Sequence, residues 1–217
     1  MNELSLPEIP RWNDDDPLVA RCRESGRPVV SVRPAPRLEI VLGRGSRPEL
    51  ELNLPAVLAD GIPVRRRPGG GCAVVLDPGN LLVTVVLPVP GIGGVRAWFD
   101  RVTDWMVEGL AACGVPGVAR RGVSDLALAD RKVSGSALHR SRGIVHYAAT
   151  LLVEPRVDLV ERWLAHPPRE PAWRRGRPHR EFMGGLAGRV SPAALAALPR
   201  TLEAALLARA REAPLTS

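Results

Sequence analysis

The run Leu81-Leu-Val-Thr-Val-Val-Leu87 limits the possible folds more than any other stretch of the chain. A strand with water on one side alternates apolar and polar residues, so a nearly unbroken apolar run fits a strand buried on both faces. The chain must therefore supply layers for both sides of a sheet. One layer is legible in residues 94–113, where Val95, Trp98, Val102, Trp105, Met106, Gly109 and Leu110 recur at spacings of three and four and Gly114 follows as a stop. Strand-like runs occupy 29–32, 38–42 and 62–66 before it, and 125–129, 132–138 and 144–153 after it. Short helices are expected at 17–23, at 53–60 with Asn53 as N-cap and Gly61 as stop, and at 157–165. A C-terminal helix N-capped by Ser191 is expected to break at Pro199. Residues 166–180 are rich in proline and arginine without periodicity, and read as a loop that is mobile until a partner orders it.

With 217 residues, 45% hydrophobic and 24% charged, the chain suits one globular domain over 1–217 and excludes a disordered one. No apolar run approaches the roughly 20 residues of a membrane span, and residues 1–10 lack the order of a signal peptide. No membrane association and a cytoplasmic location are the expectation. Cys22, Cys72 and Cys113 are widely spaced and odd in number, which suggests neither a disulfide framework nor a zinc site. A net charge of +7 implies an anionic partner. The arginines are dispersed and aromatic residues make up only 4%, which argues against nucleic acid. A basic nucleic-acid-binding protein stays as the non-enzyme alternative.

Among 30 basic residues Lys132 is the one lysine. An ammonium is a compact donor on a flexible stem and reaches a single oxygen where the planar fork of arginine does not fit. Position alone leaves a stray surface lysine equally open, so its neighbours must decide. Upstream, Arg65-Arg-Arg-Pro-Gly-Gly-Gly-Cys-Ala73 joins three arginines to three glycines between two strands. Glycines let backbone N–H groups approach a ligand, and arginines hold anions; a solvated hairpin loop is the plainer reading of the same residues.

Taken in order, these segments resemble the lipoate-protein ligase and octanoyltransferase family, a relative of biotin-protein ligases. Val30-Ser-Val-Arg-Pro34 and Val41-Leu-Gly-Arg44 look like its opening strand pair. Arg66-Arg67 with Gly69 to Gly71, then Asp77 and Gly79-Asn80, look like its arginine- and glycine-rich signature. Asp125-Leu126 and Asp130-Arg-Lys-Val-Ser-Gly-Ser-Ala137 resemble its lysine motif, and Thr150-Leu-Leu-Val153 the strand that follows. The chain departs from the pattern at Leu76, Ser124 and Tyr147-Ala-Ala149, where histidine, asparagine, and histidines with a glycine are usual.

The resemblance implies an α+β fold with a mixed, mainly antiparallel central sheet flanked by helices; many ligases of the family carry a further accessory domain, and no C-terminal accessory domain is evident in this chain. It implies a ligase that uses ATP with magnesium to convert lipoate or octanoate to an acyl-adenylate. The acyl group would then pass to a lysine of an acceptor lipoyl-type domain, with a separate accessory protein as a further partner. Lys132 would be catalytic, binding the acyl carbonyl oxygen and stabilising the oxyanion. Arg66, Arg67, Gly69, Gly70, Gly71, Cys72, Ala73, Asp77, Asn80, Ser134, Gly135, Ser136, Ala137 and Thr150 would bind substrate or nucleotide, and Asp125 would hold magnesium. Ser134 and Ser136, two apart on a strand, would share one face. Within the family an octanoyl or lipoyl transferase works without ATP through a thioester on a cysteine downstream of the lysine motif. No cysteine follows Cys113 here, which favours the ligase.

Overall fold

The computed structural model describes residues 6–213 except Ile92. In chain order the elements are α1 (Asp16–Ser25), β1 (Val29–Pro34), β2 (Glu39–Leu42), α2 (Pro48–Glu51), α3 (Leu54–Asp60), β3 (Val64–Arg66), β4 (Val74–Leu76) and β5 (Leu81–Pro88). They continue with α4 (Val95–Ala112), β6 (Val118–Arg121), β7 (Asp125–Leu128), β8 (Arg131–Ser141), β9 (Ile144–Leu151) and α5 (Val157–Trp163). A 3-10 turn at Ala172–Arg174, α6 (His179–Phe182) and α7 (Pro192–Glu212) complete the chain.

Six strands form an antiparallel sheet in the order β1-β5-β9-β8-β7-β6, and a smaller sheet has the order β3-β2-β4 with one parallel and one antiparallel pairing. The fold is therefore α+β, as the resemblance implied. β5 lies between β1 and β9, and all its residues but Pro88 are buried, which is why the run of 81–87 could be apolar throughout. On one face of the large sheet pack α4 and α7. The buried stripe of α4 includes Trp98, Val102, Trp105, Met106 and Leu110, and α7 meets it with Leu198, Leu202 and Leu206, spaced by four. At their crossing a Cβ on Gly109 would come within 2.9 Å of Leu202 Cδ1, so glycine sets how closely the helices approach. The other face carries α1 at one side and the small sheet, with α3 and α5, at the other.

Several expectations need correction. β1 and β2 do not pair; they belong to different sheets, because the turn through Ala35 sends the chain from one layer to the other. Pro199 does not break α7, which continues unbroken to Glu212. Proline removes one backbone donor there, but the apolar stripe on either side of it is buried against the sheet and α4, and that burial keeps the turn helical. Ser191 does cap this helix, accepting from the Ala194 backbone N–H at 3.2 Å. Asn53 precedes α3 without a side-chain cap; its amide donates instead to the Arg162 carbonyl. The 166–180 segment packs on its own chain without a partner: Arg174 is buried, Arg177 holds the Asp130 carbonyl, and Trp173 stacks at 4.5 Å on Phe182. Among the described residues no helix is long and apolar enough to cross a membrane.

Candidate active site

Lys132 lies near the start of β8, beside β7, where the pairing slips by one residue. Leu126 faces Ser134 and Ala127 faces Lys132, so Val133 is the extra residue of a bulge. A bulge reverses the side on which the residues beyond it project. Ser134 and Ser136 stand opposite Leu151 and Ala149, core residues beneath α4 and α7, so both serines face the helical layer. Simple alternation from them would bury Lys132 there too. The bulge turns it to the opposite face, over Gly135, where an added Cβ would sit 2.8 Å from Lys132 Nζ.

On that face Lys132 Nζ is 2.6 Å from Asp125 Oδ1, and Asp125 is only 4% exposed. The other carboxylate oxygen accepts from Trp173 Nε1 at 3.2 Å. A buried aspartate held from both sides fixes the ammonium in one place while its remaining protons stay free for a ligand. Asp125 therefore orients Lys132. Both of its oxygens are engaged, and among the described residues no group of three or more His, Cys, Asp or Glu side chains could hold a metal ion. A magnesium ion that accompanies a nucleotide is held by one or two carboxylates together with the phosphates, and each Asp125 oxygen keeps a further lone pair beyond its contact to Lys132 or Trp173.

Two cavities meet at Lys132. The smaller, about 160 Å³, lies between the sheets; Val41, Val74 and Leu76 line it from the small sheet, and Leu82, Thr84, Ala148 and Thr150 from the large one. The larger, about 580 Å³, opens under the 166–183 segment, lined by Arg169, Glu170, Arg174, His179, Phe182 and Met183. Gly71, Cys72, Ala73, Lys132, Gly135 and Thr150 border both. Of the other expected residues, Arg67 and Ala137 line the smaller cavity and Asp125 the larger; Ser136 borders the smaller one while its hydroxyl donates to the Ser124 carbonyl at 3.0 Å. Arg66, Gly69, Gly70, Asp77, Asn80 and Ser134 line neither.

Their positions have structural causes. Arg66 Nη1 donates to the carbonyls of Gly43 at 2.8 Å and Ser46 at 2.9 Å. Arg67 donates to those of Val41, Gly70 and Cys72, and burial lowers its pKa to about 10. Arg66 thus braces the 43–46 turn, and Arg67 ties the glycine loop to β2. Buried Glu51 completes the brace by accepting from the Ala73 N–H at 2.6 Å and the Ser46 hydroxyl at 3.0 Å. Gly71, at φ +91°, needs glycine, and its carbonyl would collide with any Cβ on Gly43. Asp77 accepts from the Gly79 N–H and the Asn80 amide, and Asn80 Oδ1 accepts from the Val153 N–H, which locks the turn before β5 to the chain after β9.

The sequence reading missed Trp173, Arg174, His179 and Phe182, because nothing in an aperiodic loop marks which residues fold inward. Arg174 is the most informative of them. It is 4% exposed and lies over the Phe182 ring, its Nε donates to the Arg177 carbonyl, and Nη2 has no hydrogen-bond partner among the described residues. A buried donor left unpaired is costly, and its place in the wall of the larger cavity suits an anion. Burial, with the charges of Arg174, His166 and Lys132, lowers the pKa of His179 to about 4, so the imidazole lining this cavity is neutral near pH 7.

This geometry accords with three comparisons. A provisionally named lipoate-protein ligase A of Aeropyrum pernix is 37% identical over 134 residues, covering 57% of this chain and 50% of that one. The chain thus spans about half the length of that curated relative. A bi-partite lipoate protein ligase of Thermoplasma acidophilum, whose structure was analysed with its E2 lipoyl domain, has the same fold. It superposes with a TM-score of 0.70 at 23% identity over 93% of this chain and 82% of that one. A lipoate-protein ligase A bound with ATP superposes with a TM-score of 0.66 at 22% identity, over 87% of this chain and 78% of that one. The model of the lipoyl protein ligase A/B catalytic domain matches residues 18–187, from α1 through the lysine strand to the segment that closes the larger cavity, and the chain belongs to that family.

Proposed function

We propose that the protein is a lipoate-protein ligase that activates the acid with ATP and transfers the acyl group to a lysine of a lipoyl-type acceptor domain. The observation that carries this reading is the meeting of two cavities at Lys132: one small with a mainly apolar wall, the other larger, its wall also mostly apolar but carrying Arg169 and the buried Arg174. An acyl tail suits the first and a nucleotide the second, which puts the acid's carboxylate at their junction. There the carboxylate attacks the α-phosphate of ATP, two anions whose repulsion Lys132 and Arg174 offset. Pyrophosphate leaves and the acyl-adenylate spans the junction. When the acceptor amine attacks, Lys132, held on line by Asp125, donates to the carbonyl oxygen as it becomes an oxyanion; the acyl C–O bond then breaks, AMP leaves and the amine gives up a proton to solvent as the amide forms. That the homologous ligase structures are of an ATP-bound enzyme and of one with its lipoyl domain supports the nucleotide and the acceptor.

Two variants test the reading. Lys132→Ala is expected to lower ATP-dependent lipoylation of an acceptor domain by roughly 10²–10³-fold, the usual loss for one oxyanion donor. Arg174→Met is expected to raise the KM for ATP while leaving the affinity for the free acid unchanged, measured by pyrophosphate release and calorimetry. Wild-type rates in both would refute the assignment. A separate accessory protein remains part of the proposal, tested by whether the purified chain alone transfers lipoate.

A second reading, an ATP-independent acyl transferase, has one observation in its favour: Cys72 borders both cavities beside Lys132. Burial, followed by the nearby Glu51 carboxylate, raises the thiol pKa and so disfavours the thiolate a thioester needs. Transfer from an octanoyl carrier protein without ATP, abolished by Cys72→Ser, would establish it.

A further inference from the structure

The ligase mechanism makes no use of a buried polar cluster beyond Lys132. Asp15, 3% exposed, accepts through Oδ2 from the Thr84 hydroxyl at 3.0 Å and pairs at 3.0 Å with His146 Nε2, while Arg33 Nη2 lies 3.4 Å from Oδ1. Thr84 and His146 are themselves buried. Both Asp15 and Thr84 line the smaller cavity.

The register places this cluster at the far end. On β9, Thr150 borders both cavities, and Ala148 and His146 follow it on the same face, each two-residue step advancing about 7 Å along the strand. Thr84 stands opposite Ala148, so Asp15, which touches Thr84 and His146, lies one to two steps deeper than the junction. The cavity is walled with apolar side chains along its length but ends on a carboxylate.

A carboxylate offers about four lone-pair sites, and the neighbours of Asp15 use three. Arg33 and His146 already face its charge, so a neutral hydrogen-bond donor suits the remaining site better than another cation. A methyl end pressed against it would strip water from the carboxylate and return no hydrogen bond.

We propose that the Asp15–Thr84–His146 cluster selects an acid whose far end carries a neutral hydrogen-bond donor, so that of the lipoyl substrates the reduced dithiol binds in preference to the cyclic disulfide or to octanoate. The inference rests on the ligase reading for the identity of the acid. Asp15 is here a specificity residue, away from the reacting atoms. Thiols are weak donors, so the preference is modest: dihydrolipoate is expected to bind the wild-type chain about tenfold more tightly than octanoate, with oxidised lipoate also weaker.

The test is calorimetric titration of the wild-type protein, under reductant where needed, with dihydrolipoate, lipoate and octanoate separately. Asp15→Asn supplies a second arm. The amide oxygen would stay with Thr84 and His146, the NH₂ would face the fourth site, and a donor would then meet a donor; the preference for dihydrolipoate over octanoate should disappear. Should that variant fail to fold, the wild-type ranking decides alone. Octanoate bound as tightly as dihydrolipoate would overturn the inference and leave the ligase reading standing. Failure to bind any of the three acids, with no pyrophosphate release, would overturn both.

Discussion

At the scale of single residues, what matters is where each charge is held. The ammonium of Lys132 is useful because Asp125 holds it 2.6 Å away and Trp173 holds Asp125. The space it crosses exists because residue 135 has no side chain. Gly135→Ala would set a Cβ 2.8 Å from Nζ and 2.9 Å from Cε, a collision with the end of a flexible chain rather than with backbone. We therefore expect a melting temperature within a few degrees of wild type but a loss of lipoylation approaching that of Lys132→Ala, read by comparing thermal unfolding with acceptor modification. Lys132→Arg should not restore activity, because the planar fork cannot occupy a slot shaped for a point donor. The two adjacent arginines teach the opposite lesson. Read from sequence, Arg66 and Arg67 look like anion holders; in the fold their protons go to backbone carbonyls, those of Arg66 to the 43–46 turn and those of Arg67 to β2 and the glycine loop. A motif shows which residues act together, but the hydrogen bonds of the folded chain decide whether they act on a ligand or on the loop.

Among the elements, β5, α4 and the strands 125–128, 131–141 and 144–151 were legible from pattern alone, since burial on two faces and burial on one face leave different periodicities. The bulge at Val133 was not legible. It depends on how β8 pairs with β7, and it decides that Lys132 faces the cavity while Ser134 and Ser136 face the helices. In α7 local propensity predicted a break that burial of Leu198, Leu202 and Leu206 overrides. If proline is only tolerated there, Pro199→Ala should stabilise the fold, by at most about 3 kcal/mol, the intrinsic gap between the two residues in a helix. For a domain of this size each kcal/mol corresponds to roughly 2–4 °C, so a raised melting temperature is the expected outcome. An unchanged one would mean that the helix is already bent to suit the ring.

For the whole molecule, loss of water disfavours the charged form of two of the four histidines. His139 has a pKa lowered to about 4 by burial, with smaller contributions from His146, Arg11 and Arg44, and His179 is lowered to about 4 chiefly by burial. Unfolded imidazoles titrate near 6.5, so between about pH 6.5 and 4 the unfolded chain binds more protons than the folded one. Stability is then fully present above pH 6.5 and falls as the pH drops toward 4. Denaturant unfolding at pH 7 and pH 5 should show the loss, and His139→Gln should reduce the difference between the two. The sequence by itself determined the α+β layering and the family and singled out Lys132, because these follow from periodicity and from motifs held in local order. Only the tertiary structure decided what the motif residues touch. It turned Lys132 by a bulge, gave Asp125 to the lysine, set Arg66 and Arg67 on the loop, folded Arg174 into the larger cavity and put Asp15 at the end of the smaller one. Several of these depend on groups distant in the chain, from 7 residues for Asp125 and Lys132 to 131 for Asp15 and His146, and no local pattern records which distant partner will satisfy a buried charge.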